Sequence, residues 1–328
     1  MSVNVTPRSP GGTRRRLTTG VLVAVLALVA SGCVFVAIPG VPTSCTITPA
    51  NSFWRSNVSA LPVHPSSTTW INSAGATRTL KADFGSGLWN GGTIGIPYNV
   101  VPGTQAKTTI SSWWYGSQSD RVGYPIPANP NIESGGDRHI LMVDKDNCRL
   151  YELYAAERTP SGWNAGSGAT WDMRSNAMRP DTWTSADAAG LPILPGLVRY
   201  EEVEANDVRH AIRMTVPVTA NTYLWPASHQ AGSGGSSNLP MGAWIRLRAD
   251  FDENLVDPQA RPIVRALKTY GGVIADNGSA WYMSGVPDDR WDNDQLRTLS
   301  RVNGSDFQVV DASSLKVANN SYESSNAS

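Results

Sequence analysis

MRSNAMRPDTWTSADAAGLPILPGLVRYEEVEANDVRHAIRMTVP, residues 173–217, holds the densest run of proton-handling side chains in the chain. It passes from an Arg- and Asn-rich loop, through Trp183 and the apolar setting of Asp187, to Glu201, Glu202, Glu204 and His210. Apolar residues at 197–204 and 208–216 flank Ala205-Asn206-Asp207, so a β-hairpin is expected there. Glu202 would then lie across from His210, with Cβ atoms about 5 Å apart. A carboxylate in that place orients an imidazole or shares a proton with it in acid–base work; on a solvent-facing hairpin the same pair is a weak salt bridge.

The segments around this stretch are also strand-like. His139–Val143 and Cys148–Ala155 flank a turn at Asp144–Asn147, with Leu150, Glu152 and Tyr154 alternating. Trp244–Phe251 alternates, Gly272–Asp276 and Ser279–Ser284 surround Asn277-Gly278, the dipeptide of tight hairpins, and Phe307–Val310 ends the series. Two helices are expected, a short one at Pro65–Ala74 and one from Asp257 to Gly271. The second has Asp257 as cap, Pro258 at the first helical position, and Ile263, Val264, Leu267 and Tyr270 on one face. The expected fold is all-β: a single β-sandwich of jelly-roll or concanavalin-like type over 45–317, with long loops and one or two peripheral helices.

Before that domain, Arg14-Arg15-Arg16, an apolar run at 20–30 and Ala30-Ser31-Gly32-Cys33 read as a signal peptide of the lipoprotein kind over 1–33. Thr13–Leu17 also resembles a twin-arginine signal. Cys33 is the expected lipidation site, 34–44 a tether and 318–328 a disordered tail. With Cys33 set aside, Cys45 and Cys148 remain to form a disulfide in an oxidising compartment. The expected location is secreted or cell-surface, with the membrane reached only through the lipid anchor.

Lys+Arg and Asp+Glu are each 27, and no basic cluster lies beyond the N-terminus, which excludes a nucleic-acid partner. No phosphate-binding glycine loop or nucleophile elbow is present, so neither a nucleotide cofactor nor a serine hydrolase is expected. No cofactor of any kind is assigned. His64, His139, His210 and His229 never fall two to an element, and no metal is assigned.

Blocks at 137–144 (DRHILMVD), 148–154 (CRLYELY), 179–203 (RPDTWTSADAAGLPILPGLVRYEEV) and 274–285 (IADNGSAWYMSG), with LPVHP at 61–65, resemble an uncharacterised family of secreted bacterial proteins frequent in actinobacteria. The resemblance implies one extracellular domain and carries over no catalytic residue.

Function is therefore read from residue types. Two carboxylates flanking a sugar are what glycoside hydrolysis needs, and Glu202 with Asp187 is the expected pair, assisted by His210. Asp172 and Asp276 are further carboxylates, Asp276 being assigned to turn chemistry before Asn277-Gly278. The chain has 12 Trp, many of them in Gly-, Asn- and Ser-rich loops, where indole rings offer flat faces to sugars. Trp183, Trp171, Tyr200, Arg179, Arg199, His139 and His229 are the expected substrate contacts, the arginines for acidic groups. The expectation is a monomeric carbohydrate-active enzyme, a glycoside hydrolase cleaving extracellular or cell-wall polysaccharide. A lyase using His210 or Tyr200, and a glycan-binding protein without chemistry, are the alternatives.

Overall fold

The computed structural model describes Met1 and residues 36–327, and from residue 36 onward these form one compact unit. The signal segment at 1–33, Cys33 included, lies outside the described residues apart from Met1. As expected, the unit is rich in β-strands and poor in helix. Its strands are spread over three larger sheets and a two-stranded pair, instead of the two sheets of one sandwich.

The largest sheet is mixed, in the order Lys81–Asp83, Tyr282–Ser284, Ile212–Val216, Gly272–Asn277, Trp244–Leu247, Phe307–Val310. A four-stranded sheet follows the order Ser167–Asp172, Arg149–Tyr154, Ile140–Asp144, Tyr98–Val101. The third comprises Gly123–Tyr124, Thr108–Trp113, Gly162–Ala165 and Glu157–Thr159. Strand alternation sorts their apolar residues into layers. Ile212, Met214, Ile274 and Met283 face helix Arg261–Thr269 through Ile263, Val264 and Leu267. Val273, Ala275 and Trp244 join Leu141, Val143, Leu150 and Ala169 in a core between the first two sheets. Ile140, Met142, Tyr151 and Leu153 meet Ile110, Tyr124 and Trp163 of the third.

The Ile140–Asp144 and Arg149–Tyr154 hairpin forms as expected, closed by Asp144, whose carboxylate accepts the N–H groups of Asp146 and Asn147 at 3.2 and 3.0 Å. Helix Ser67–Ala74 also forms, ended by Gly75 at φ +109°, where a side chain would be strained. The second helix begins as a 3-10 turn, Pro258–Ala260, and continues as Arg261–Thr269. Pro262 falls in its first turn, where a missing amide costs little. The Cys45–Cys148 disulfide is present. It closes a loop of 103 residues, worth roughly 4–5 kcal/mol by chain entropy.

Four expectations are corrected. Gly272–Asn277 and Tyr282–Ser284 are both strands, yet they do not pair. Ile212–Val216 lies between them, parallel to the first and antiparallel to the second. Residues 200–204 are a short helix, Tyr200–Glu204, so no hairpin joins them to Ile212–Val216. The Glu202 carboxylate reaches back to the Arg199 N–H at 3.3 Å, which stabilises a helical first turn. The tether is part of the fold, since Ile38 and Val41 are buried in the first core. The C-terminal tail is ordered as well: Tyr322 is buried in that core, its carbonyl accepts the Phe53 N–H at 2.7 Å, and Ser52 and Ser56 bridge to Glu323 and Ala327.

Candidate functional site

Arg213 is the foundation of the site. It sits in Ala211-Ile212-Arg213-Met214, and the alternation that turns Met214 towards the helix turns Arg213 to the opposite face. The neighbouring strands bring Ser284 and Asp276 to it, and loop 184–195 covers it. That loop is tied by Ser185, whose hydroxyl donates to Leu191 O at 2.6 Å and accepts the Asp187 N–H at 2.8 Å. Asp187 is thereby placed over the guanidinium, 1% exposed. Arg213 Nε and Nη2 donate to its two oxygens at 2.9 and 2.8 Å. The same Nη2 donates to Asp276 Oδ2 at 3.2 Å, and Nη1 to Ser284 Oγ at 2.7 Å.

The two carboxylates differ. Asp187 is enclosed and fully used. The Asp276 side chain keeps 27% of its surface, and its other oxygen accepts the Asn277 N–H at 2.7 Å. Burial, against the opposing pull of Arg213 and with Asp187 as a like charge nearby, pushes the Asp276 pKa up to about 6.

His139 and His229 hold the carbonyls on either side of Asp187. His139 Nε2 lies 3.0 Å from Ala186 O and its Nδ1 contacts the Glu133 carboxylate. Both neighbours are acceptors, so both ring nitrogens carry protons. Burial opposes that charge and Glu133 overcomes it, raising the His139 pKa to about 9. The same pairing keeps Glu133 below the usual carboxylate range despite its burial. His229 Nδ1 donates to Ala188 O at 2.7 Å from a half-buried ring.

The exposed Asp83 and Asp137 lie within electrostatic reach of this cluster, Asp83 acting with Glu133 and Arg213 and Asp137 with His139. Tyr154 packs 5.6 Å from the His139 ring and meets Trp114 edge-on at 5.8 Å. Trp114 is 67% exposed, with Tyr115 beside it at 49%.

Of the expected site residues, Asp187, His139 and His229 come together here. Glu202 and His210 do contact each other, at 3.1 Å, but in a different place. Glu202 pairs with Arg199, and these three residues are all under 7% exposed. Arg199 and His210 hold the Glu202 carboxylate below its usual pKa against burial. No hydrogen bond or ion pair joins Glu202 to Asp187 among the described residues. Arg179 is buried and spent on Asp120, Gln118 O and Thr184 O, at 2.8, 2.6 and 2.8 Å, while its guanidinium lies over Trp171 and Trp183. Arg199 likewise donates to Leu194 O and Leu197 O. Neither is open to an acidic substrate. Tyr200 lies under Arg290, 4.2 Å from its ring centre, along a separate surface groove of about 1140 Å³.

Sequence reasoning missed Arg213, Glu133 and Ser284, and gave Asp276 to a turn. A signal for Arg213 was present: a lone cation in an otherwise apolar strand has to be paired once buried. Among the described residues no group of three or more His, Cys, Asp or Glu is arranged to hold a metal, and no helix is long and apolar enough to cross a membrane. No family model, curated protein or solved structure matches the chain.

Proposed function

We propose that this chain is an extracellular carbohydrate-active enzyme, a glycoside hydrolase acting on polysaccharide, with Asp276 as its general acid. The supporting observation is the divergence of two carboxyls that both act on the Arg213 guanidinium. Burial raises Asp276 to about 6, while His139 keeps Glu133 ionised. Environments that push two titratable groups apart are the arrangement that acid–base catalysis uses. Asp276 then protonates the leaving oxygen, and Glu133 is the second carboxylate that such hydrolysis needs. Asp187 and Arg213 are positioning residues, because they fix Asp276 without reaching solvent. Trp114 and Tyr115 offer the exposed ring faces on which sugars stack. The disulfide fits an oxidising, extracellular setting.

The test follows reducing ends released from a panel of plant, fungal and bacterial polysaccharides by the full chain and by Asp276→Asn. The variant should melt as the parent does and turn over about 10²–10⁴-fold more slowly. Parent activity should fall as pH rises through about 6, where the acid loses its proton. Unchanged turnover in Asp276→Asn overturns the assignment. Unsaturated uronide products would point to a lyase. Retention on an insoluble glycan without any product would leave a binding protein.

A further inference from the structure

The groove bordered by Tyr200 measures about 1140 Å³, above the range of about 300–1,000 Å³ that single small ligands occupy. An occupant that fills it is therefore extended. Ile132 and Ser134, on either side of Glu133, belong to its wall, so the groove runs beside the acidic cluster. The hairpin of Leu88–Trp89 and Gly92–Thr93 supplies more of the wall, and its Trp89 is 71% exposed.

The wall carries acids in excess. Its charged residues are Glu201, Asp288, Asp289 and Arg290. Arg290 Nη2 donates to Glu201 Oε1 at 2.5 Å and to Asp288 Oδ2 at 2.6 Å, and Asp289 is exposed. One guanidinium thus stands against three carboxylates. In the adjoining cluster the cations Arg213 and His139 are 4% and 2% exposed, whereas Asp83 is open to solvent. Buried cations and exposed carboxylates give this face a negative field, and a cleft lined by one sign concentrates the opposite charge.

Two kinds of extended cation fit such a field, a basic peptide and a polymer of amino sugars. A peptide would bind by adding a strand to the sheet edge in the wall, Tyr98–Val101. That edge is four residues long and bracketed by Pro97 and Pro102, so it offers few backbone partners. The rest of the wall favours sugars. Exposed Thr93, Asn129 and Ser134 match hydroxyl groups, and Trp89 offers a ring face for stacking. We infer that this groove binds a polysaccharide whose units carry free amino groups. The inference rests on the carbohydrate reading of the adjoining cluster and names the class of polymer it meets.

Calorimetry with hexamers of glucosamine, N-acetylglucosamine and galacturonate, and with hexalysine, tests it at mildly acidic pH and low salt. Full-length Asp276→Asn is used beside the parent, so that binding is read whether or not Asp276 is the acid. The glucosamine hexamer should bind at least about tenfold more tightly than its acetylated counterpart, with galacturonate weakest, and salt should erase the difference. Asp289→Lys should weaken the glucosamine hexamer about two- to tenfold and leave the acetylated one unchanged. Asp250→Lys, at an exposed acid outside the groove, should change neither. A parent that cleaves no glycan but keeps this order of binding loses the hydrolase reading and keeps the groove. Equal affinity for the acetylated hexamer, an Asp289→Lys effect no larger than that of Asp250→Lys, or no binding at all overturns the inference. Hexalysine binding as tightly as glucosamine overturns it too, and assigns the groove to a basic peptide.

Discussion

Asp187→Asn preserves the shape of the most enclosed carboxylate in the site and removes its charge. The Arg213 guanidinium now donates two N–H groups to it, at 2.9 and 2.8 Å. An amide has one oxygen, so one of those donors would face an NH₂ group. With Asp187 1% and Arg213 4% exposed, water cannot repair the loss. Removing one partner of a buried pair costs about 3–5 kcal/mol. Arg213 would keep Asp276 and Ser284, which places the expected loss near the lower end, about 3 kcal/mol. Urea unfolding at neutral pH, followed by tryptophan fluorescence, measures it. A second readout is Asp276 itself, titrated by carboxyl NMR. Without the like charge of Asp187, and with a larger share of Arg213, its pKa should fall below the present value of about 6. A loss under about 1 kcal/mol, the value of a surface pair, would refute the account of the site. An Asp276 pKa that rose would refute it equally.

Two further outcomes concern the fold. Tyr322→Ala should destabilise by about 3–5 kcal/mol, as large-to-small changes do in cores, because the ring is 4% exposed and its hydroxyl donates to Gly190 O at 3.2 Å; a thermal midpoint within about 2 °C of the parent would contradict this. Alkaline pH should weaken the fold through His139, whose native pKa of about 9 lies above its ordinary 6.5. The stability this supplies is complete below about 6.5 and is lost as pH rises through about 9, with a ceiling of about 3 kcal/mol. In His139→Gln that alkaline loss should flatten, and an unchanged pH dependence would show that Glu133 does not hold the proton there.

Local signals gave elements reliably and neighbours poorly. The signals for the helices at Ser67–Ala74 and 258–269 and the hairpin turn at Asp144–Asn147 lie within a few residues, and those elements form, although the Asp257 side chain makes no capping hydrogen bond. Asn277-Gly278 carries an equally strong turn signal, but pairing is decided by Ile212–Val216, which enters the sheet from 60 residues earlier. Residues 200–204 read as a strand because Tyr and Val suggest one, and the deciding contact, Glu202 to the Arg199 N–H, is a cap invisible to alternation. At the site, Asp187 was legible from its apolar surroundings. Its partner Arg213, on a strand, and Glu133, on a loop, meet it only through tertiary packing. Among the tryptophans of the loops and strand ends, Trp54, Trp163, Trp171 and Trp281 are buried, whereas Trp114 and Trp89 stay exposed.

The interlocking of residues 52–56 with residues 322–327 has a consequence for biogenesis. Phe53 hydrogen-bonds to Tyr322, and Ser56 bridges to Ala327. A nascent chain that has not yet released residues 322–327 therefore lacks a wall of its first core. Completion of this core waits on residues 322–327, so a chain cut before Tyr322 has a hole where residues 52–56 should dock.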